Sequence, residues 1–145
     1  MKKGLKIVSL LLVLCLLAVP VNAEGNVESR ESMFFSSYCT YLAPGDHYAV
    51  EVIFDVNANA LRMDEIGTIM IELYESKDQE SWTKVKIFEA EDYPQMLDYN
   101  SGSHTGYVTY YASMPTYYYR AYVTFYAKDS RGIGKRFVYT PILRR

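Results

Sequence analysis

Hydrophobic and polar residues alternate most regularly in the segment from Tyr117 to Ala127. One face of this segment would carry Tyr117, Tyr119, Ala121, Val123, Phe125 and Ala127. The other face would carry Tyr118, Arg120, Tyr122, Thr124 and Tyr126. A period of two residues is typical of a β-strand, a conformation that aromatic and β-branched side chains favour. The pattern predicts a central strand with two different faces, one of which belongs to the hydrophobic core.

Six other segments show strand-like patterns and predict further strands: residues 33–42, 47–56, 66–75, 82–90, 106–112 and 135–143. Turn-forming sequences such as Ala43-Pro44-Gly45-Asp46 separate them. Residues 57–65 have no period of two, and residues 91–104 predict a longer loop with room for a short edge strand. Since no segment has the period of an amphipathic helix, about seven strands predict an all-β fold, an antiparallel β-sandwich, in a single domain over residues 33–145.

The N-terminal residues have the three parts of a secretory signal peptide. A basic start with three lysines precedes an apolar run over residues 7–19, and Val21-Asn22-Ala23 provides small residues before a cleavage site. The apolar run is shorter than the ~20 residues of a membrane span, although an N-terminal anchor helix is the alternative. We therefore expect a signal peptide over residues 1–23, a flexible polar leader over residues 24–32, a secreted protein, and no membrane association after cleavage.

The charge balance changes when the signal peptide is removed. The whole chain has 15 basic and 17 acidic residues, and loss of the three lysines leaves 12 basic and 17 acidic residues, a net charge of −5. Nucleic acids require a positively charged surface, so this balance argues against a nucleic-acid partner. The pair Arg144-Arg145 is the only basic cluster at an end of the mature chain, and we expect it to be a solvated tail.

The cysteine content limits what can stabilise the fold. Of the two cysteines, Cys15 lies in the predicted signal peptide, so the mature chain would keep one thiol, Cys39, and no internal disulfide. The 122 residues that follow residue 23 are enough for a hydrophobic core that folds without such a covalent link.

The segment Tyr119–Ala127, followed by a glycine-containing turn and a last strand, resembles strands F and G of immunoglobulin and fibronectin type III domains. In these folds a tyrosine near the start of strand F forms a tyrosine corner. The resemblance implies that role for Tyr119, because Ala121 stands where an immunoglobulin domain has its second cysteine. The missing cysteine pair excludes an antibody-type domain, so the resemblance is to the fold in general.

The chain also resembles an uncharacterised family of small secreted proteins of Gram-positive gut bacteria. The matching parts are the signal peptide, the segment Met63–Gly67, the hairpin Glu75–Trp82 and the strand Tyr119–Ala127. The resemblance covers most of the mature chain and implies secretion and a sandwich fold, with no known activity. Trp82, at the end of that hairpin, is expected to have a structural role.

The residues of a hydrolytic site are scarce. The two histidines are His47 and His104, and the segment Gly102–Gly106 has the glycine spacing of a nucleophile elbow with a histidine at its centre, where the nucleophile should be. Cys39 could pair with a histidine, but a small half-buried side chain in the first strand explains it more simply. We therefore expect no catalytic residues and no enzymatic activity.

The sequence offers equally weak evidence for a metal site and for a catalytic pair of carboxylates. The segment Asp98–Gly102 partly resembles a calcium loop, but the glycine is one position early and no closing glutamate follows at the required spacing. Paired carboxylates for a glycosidase could come from five acidic residues, which we expect instead on a solvated surface: Asp64, Glu65, Glu89, Glu91 and Asp92. We expect no metal and no cofactor.

Tyrosine is the one unusual feature of the composition. The chain has 15 tyrosines, and 11 of them lie between Tyr93 and Tyr139. On the polar face of the central strand, Tyr118, Tyr122 and Tyr126 would form a row beside Arg120, which Tyr110 or Tyr111 and Tyr139 could extend from the neighbouring strands. Phenol rings suit stacking on sugars or contact with a protein. Tyrosine pairs also stabilise sheets, so a purely structural role is the competing interpretation.

These observations favour a secreted, non-enzymatic binding or interaction module whose ligand, an extracellular protein or a glycan, would contact Tyr118, Arg120, Tyr122 and Tyr126. A structural component of the cell surface is the first alternative. A small hydrolase that uses Cys39 or a carboxylate pair is the second.

Overall fold

The computed structural model describes residues 33–112 and 117–145, and the predicted signal peptide and leader lie outside these ranges. In chain order the strands are β1 (Phe35–Pro44), β2 (Ala49–Ala58), β3 (Met63–Ser76), β4 (Thr83–Glu89), β5 (Leu97–Ser101), β6 (Ser103–Tyr111), β7 (Tyr118–Asp129), β8 (Gly132–Tyr139) and β9 (Leu143–Arg144). A 3-10 turn, Pro94–Met96, precedes β5. No helix within the described ranges is long and apolar enough to cross a bilayer.

The strands form two antiparallel sheets. The smaller sheet has the order β1-β2-β6, and the larger sheet has the order β4-β3-β7-β8, with β5 added on β3 and β9 added on β7. In immunoglobulin lettering these are strands A, B and E in one sheet and C′, C, F and G in the other. The segment in the place of strand D is β5, which pairs with strand C instead. This connectivity confirms the predicted antiparallel sandwich of the immunoglobulin and fibronectin type III kind.

The core lies between the two sheets and contains residues from both inner faces. Alternation in β2 places four side chains there, all fully buried: Val50, Val52, Phe54 and Val56. Alternation in β7 contributes a facing set: Tyr119, Ala121, Val123, Phe125 and Ala127. The strand predicted over residues 47–56 is confirmed from residue 49 onward, whereas Tyr48 lies in the preceding turn and is exposed.

Residues 33–112 and 117–145 form nine strands, where the sequence predicts about seven. One extra strand is β5, which lies inside the predicted loop of residues 91–104 and pairs with the start of β3. The other is β9, which follows a break in the last predicted strand and pairs with Tyr118 and Tyr119. Both are short and owe their conformation to a neighbouring strand, so their own sequences show little alternation.

The strand β3 begins at Met63, inside the segment of residues 57–65, whose sequence has no period of two. An irregularity in the pairing with β7 lies between Thr68 and Met70. Such a bulge shifts the alternation by one residue, so that Ile66 before it and Ile71 after it both face the core although they are five positions apart. A strict period of two over residues 66–75 therefore predicts only the second half of the strand.

Arg145 is not the solvated residue that we predicted. Its guanidinium donates hydrogen bonds to the carbonyl oxygen of Ala49, the first residue of β2, at 2.5 Å and to that of Gly45, in the turn between β1 and β2, at 2.7 Å. Its backbone N–H donates to the carbonyl oxygen of Tyr117 at 3.0 Å. Arg145 therefore connects the two sheets, while the neighbouring Arg144 lies over the ring of Tyr118 at 5.8 Å.

Candidate functional site

The outer face of the larger sheet contains the candidate site. Because Tyr119, Ala121 and the residues that follow them at every second position are core, the even-numbered residues of β7 face outward. They lie between the outward residues of β3 and β8, with which they are in register: Arg120 opposite Tyr74, and Tyr122 opposite Glu72 and Tyr139. The structure thus decides which face of the central strand is available to a ligand.

Arg120 is the centre of an aromatic cluster on this face. Its guanidinium carbon lies 4.2 Å from the ring centroid of Trp82, 5.1 Å from that of Tyr139 and 5.9 Å from that of Tyr74. Its Nε is buried and has no hydrogen-bond partner within the described ranges. A planar cation held by ring faces in this way fixes the positions of the rings around it.

The β3–β4 connection places Trp82 beside Arg120. The hydroxyl oxygen of Ser76 accepts a hydrogen bond from the backbone N–H of Gln79 at 2.8 Å, and the carboxylate of Asp78 accepts from the N–H groups of Glu80 and Ser81 at 2.9 and 2.8 Å. The bonds from Ser81 and Glu80 hold the pKa of Asp78 below its usual value. The indole Nε1 of Trp82 then donates to the carbonyl oxygen of Gln79 at 3.0 Å, which orients the ring.

Tyr122 contacts the aromatic residues of β8 and so connects them with this cluster. Its ring centroid lies 4.7 Å from that of Tyr139, and its ring is nearly parallel to that of Phe137, with an interplanar angle of 11° at 6.0 Å. Phe137 and Tyr139 are 55% and 54% exposed. We call the surface formed by Trp82, Arg120, Tyr122, Phe137 and Tyr139 the aromatic platform.

Charged residues border the platform on the β3–β4 side. Lys84 forms an ion pair with Glu72, and its ammonium lies 5.6 Å from the ring centroid of Tyr74. The bond with Glu72 raises the pKa of Lys84. The hydroxyl of Tyr74 donates to the same carboxylate at 3.4 Å. The apolar centre is therefore bordered by polar groups that already have partners.

The predicted tyrosine row is divided in the structure. Tyr122 lies within the platform, and Tyr118 lies half-buried beside Arg144 at the start of β7. Tyr126 is only 9% exposed, because it forms the floor of a groove of about 500 Å³ that Leu97 and Tyr99 of β5 close on one side. Burial and the nearby Glu65 raise the pKa of Tyr126. The structure thus brings Arg120 and Tyr122 together and separates Tyr118 and Tyr126 from them.

The extension of the row by Tyr139 occurs as predicted, but its extension by Tyr110 or Tyr111 was wrong. Strand β6 belongs to the smaller sheet, so neither residue reaches the outer face of β7. Tyr110 points into the sandwich, with its ring 6.5 Å from that of Tyr119. Tyr111 lies exposed on the outer face of the smaller sheet.

Tyr119, the candidate for a tyrosine corner, is fully buried near the start of β7. Its hydroxyl has no hydrogen-bond partner within the described ranges, and residues 113–116, where a corner would find its backbone acceptor, lie outside them. Burial, with smaller effects from Glu75 and Tyr110, raises the pKa of Tyr119 to about 12. Within the described residues, Tyr119 is part of the hydrophobic core cluster.

The histidines and the cysteine do not meet. Cys39 is exposed on β1, which corrects our expectation of a half-buried side chain. It faces outward in register with Asp55, whereas His104 faces the sandwich interior, with its ring 5.6 Å from that of Phe54 and its Nε2 2.9 Å from the carbonyl oxygen of Gln95. His47 lies in the turn beyond Pro44. Along β1, Pro44 is about 17 Å from Cys39 at 3.4 Å per residue. A Cys–His pair with either histidine is incompatible with this geometry.

The acidic candidates lie mostly on the surface. Glu89 and Glu91 are exposed at the groove above Tyr126, and Glu65 at the same groove forms an ion pair with Lys128 at 3.0 Å. Asp98–Ser101 is part of β5 rather than a calcium loop. Within the described ranges, no group of three or more histidine, cysteine or acidic side chains could hold a metal ion.

Two platform residues were missed as binding residues. Trp82 was assigned a structural role, and Phe137 was recognised only as part of an alternating strand. The partner of Trp82 is 38 positions away in the sequence, so no local pattern connects it with Arg120. For Phe137 a signal did exist, because alternation in residues 135–139 places Phe137 and Tyr139 on the same face.

Comparison with known proteins identifies no relatives by sequence: no protein-family model matches, and no curated protein does. Among solved structures, the putative ApaA protein from Bordetella pertussis is similar over 74% of this chain and 87% of its own, with 8% identity and a TM-score of 0.38. Superoxide reductase from Nanoarchaeum equitans is similar over 71% of this chain and 90% of its own, with 11% identity and a TM-score of 0.30. Similarity this low carries no argument about function.

Substitution of Arg120 tests whether the guanidinium organises the platform. Because the chain has a single tryptophan, Trp82 fluorescence reports on this contact directly. We expect Arg120→Ala to shift the emission and to lower the free energy of unfolding by about 1–2 kcal/mol, through loss of the cation–π contact and of packing. Arg120→Lys keeps the charge without the planar stack and should shift the emission almost as far. Unchanged emission in both variants would contradict the arrangement.

Proposed function

We propose that this protein is a secreted, non-enzymatic module that binds an extracellular protein through the aromatic platform. The observation that carries the proposal is the cluster of Trp82, Tyr122, Phe137 and Tyr139 beside Arg120, in which Phe137 and Tyr139 are exposed and the other two rings are half-buried. Tryptophan, tyrosine and arginine are the residues that contribute most to binding energy at protein interfaces. The signal-peptide pattern of residues 1–23 supports an extracellular partner.

The shape of the platform supports a protein rather than a small molecule. The platform lies on the open face of a sheet, whereas small-molecule sites are usually concave. Its rings are held in place before binding, by the Arg120 stack and by the turn that orients Trp82. Preorganised side chains lose little conformational entropy on binding, which favours affinity. The border of Lys84 and Glu72 matches the polar rim of a protein interface.

A glycan is the second candidate ligand. The observation that favours it is the nearly parallel arrangement of Tyr122 and Phe137, with Phe137 more than half exposed. A flat aromatic surface of this kind can stack on the apolar face of a sugar ring. Glycan arrays and panels of extracellular proteins, probed with the same purified protein, distinguish the two classes.

The test compares the wild type with the platform variant Phe137→Ser/Tyr139→Ser in such binding screens. We expect a ligand whose affinity falls by about 30-fold or more in the variant, since loss of one such residue costs about 2 kcal/mol. The matched control is Tyr41→Ser/Tyr48→Ser, which removes two exposed tyrosines from elsewhere on the protein. A ligand that is lost by the control and kept by the platform variant would overturn the proposal, as would the absence of any ligand in both screens.

A further inference from the structure

The free edge of β6 is a second surface with a defined chemistry. Two backbone hydrogen bonds between β2 and β6 set which residues face this edge: the N–H of Ala112 donates to the carbonyl oxygen of Tyr48 at 3.2 Å, and the N–H of Ala58 donates to that of Gly102 at 2.8 Å. In an antiparallel ladder, alternate residues direct both backbone groups to the same neighbour. Even-numbered residues of β6 therefore bond to β2, and odd-numbered residues direct their N–H and C=O groups away from it.

Three consecutive odd-numbered residues, Thr105, Tyr107 and Thr109, present these backbone groups with no hydrogen-bond partner in residues 33–112 and 117–145. The hydroxyl of Ser101 donates a hydrogen bond to the C=O of Ser103 and accepts one from its N–H. The stretch of unpaired backbone groups therefore begins after Ser103. A groove of about 630 Å³ lies along the edge, between β6 and the segment of Tyr93 and Gln95. Among the residues that the structure describes, nothing therefore pairs with this edge, and another extended strand can add to it.

Strand β6 also lacks the features that normally prevent such pairing. Natural edge strands carry lysine, other inward or edge charges, proline or bulges. The other sheet edges have them: Lys84 and Lys86 in β4, Lys135 and Arg136 in β8, and Pro44 with a register shift in β1. The nine residues of β6 include no lysine, arginine, aspartate, glutamate or proline. Its edge is open to pairing by sequence as well as by position.

The three unpaired residues are complementary to themselves. If two copies of β6 pair antiparallel about a twofold axis at Tyr107, this residue meets its own copy and Thr105 meets Thr109 of the second copy. Each of these pairs exchanges two hydrogen bonds, so the pairing satisfies all six backbone groups of each chain. The side-chain pairs are Tyr–Tyr and Thr–Thr, which are favourable across strands.

The outer face of the smaller sheet supports the same arrangement. Tyr41, Ile53 and Tyr107 are in register across its three strands, and Tyr41 and Tyr107 are 48% and 59% exposed. Pairing at β6 would continue this row into the second copy without a break. The carboxylates of β2 on this face, Asp55 and Glu51, would lie about three strand spacings or 14 Å from those of the second copy, beyond the ~8 Å Debye length.

We propose that the protein forms a twofold symmetric dimer in which β6 pairs with β6 of a second copy, joining the two smaller sheets into one sheet of six strands. The interface is separate from the aromatic platform, which lies on the other sheet, so the dimer would present two platforms. The proposal is independent of the ligand that binds there.

The experiment is sedimentation velocity over a series of micromolar concentrations, with the protein that follows residue 23. We expect a concentration-dependent dimer for the wild type and at least tenfold weaker dimerisation for Tyr107→Lys, which places like charges opposite each other. Tyr41→Lys is the matched control, because it adds the same charge on the same face, two strands away from the edge, and should dimerise as the wild type does. Circular dichroism confirms that both variants are folded.

Disulfide formation tests the register. In a Cys39→Ser background, Tyr107→Cys should form a disulfide-linked dimer on mild oxidation, because residues in a hydrogen-bonded pair have Cα atoms about 5.5 Å apart. Tyr111→Cys would lie roughly 27 Å from its own copy and should remain unlinked. A wild type that stays monomeric at every concentration overturns the proposal, and so does dimerisation that Tyr107→Lys leaves unchanged or a Tyr107→Cys variant that remains reduced.

Discussion

Gly67→Ala is expected to be among the most destabilising single substitutions in this protein, at a cost of roughly 3–5 kcal/mol in the free energy of unfolding. Gly67 has a φ of +149°, and a Cβ at this position would lie 2.1 Å from the backbone carbonyl oxygen of Met96. Backbone strain at such a φ costs roughly 1–3 kcal/mol, and relief of the overlap must move β5 away from β3. Equilibrium urea unfolding measures the loss.

Gly132 provides the matched control. It also has a positive φ, +132°, but apart from its chain neighbours no atom of the described residues lies within 4 Å of a Cβ added there. Gly132→Ala therefore introduces backbone strain alone, so we expect it to lower the free energy of unfolding by roughly 1–3 kcal/mol. The difference between the losses of stability in the two variants measures the cost of the overlap between a Cβ in β3 and the segment before β5. Equal losses would contradict this contact.

The second large effect is a loss of stability at alkaline pH that depends on Tyr119. Burial raises the pKa of Tyr119 to about 12, above its usual value of about 10 in the unfolded chain. Below pH 10 the phenol is protonated in both states, and its contribution to stability is complete. Between pH 10 and 12 the unfolded state releases this proton and the folded state keeps it, so stability falls as the pH rises, by up to about 3 kcal/mol.

Urea unfolding at pH 8 to 12 measures this loss in the wild type and in Tyr119→Phe. The variant should lose less stability over this range, because it has no phenol to ionise at that position. Tyr110→Phe is a graded control, since burial also raises the pKa of Tyr110 but the residue is only partly buried. An equal alkaline loss in Tyr119→Phe and the wild type would show that Tyr119 does not carry the effect.

Local alternation predicts the fold class because each strand must separate a core face from an outer face. Val50, Val52, Phe54 and Val56 demonstrate this, since a period of two places all four on the inner face of β2. Alternation fails to predict which residues are buried where a bulge in the strand pairing shifts the period of two by one residue. At the bulge between Thr68 and Met70 the inner face of β3 changes parity, and the pairing with β7 determines this change.

The candidate site was predictable only in part. The sequence places Arg120 and Tyr122 on one face of β7, and the structure confirms that they share it. The partners of Arg120 come from a turn 38 residues before it and from a strand that begins 12 residues after it. Strand order in the sheet brings these residues together, and no property of the individual segments specifies that order.

By itself, the sequence determined that the chain forms strands with two-sided character, because alternation is a local property of the extended backbone. It could not determine which side of Tyr117–Ala127 would be covered. Tertiary structure decided this by placing β1, β2 and β6 against Tyr119, Val123 and Phe125. It also placed Leu97 and Tyr99 of β5 at the groove that contains Tyr126, and placed Tyr122 beside the exposed Phe137 and Tyr139. Burial depends on which neighbours pack against a face, and those neighbours come from distant parts of the chain.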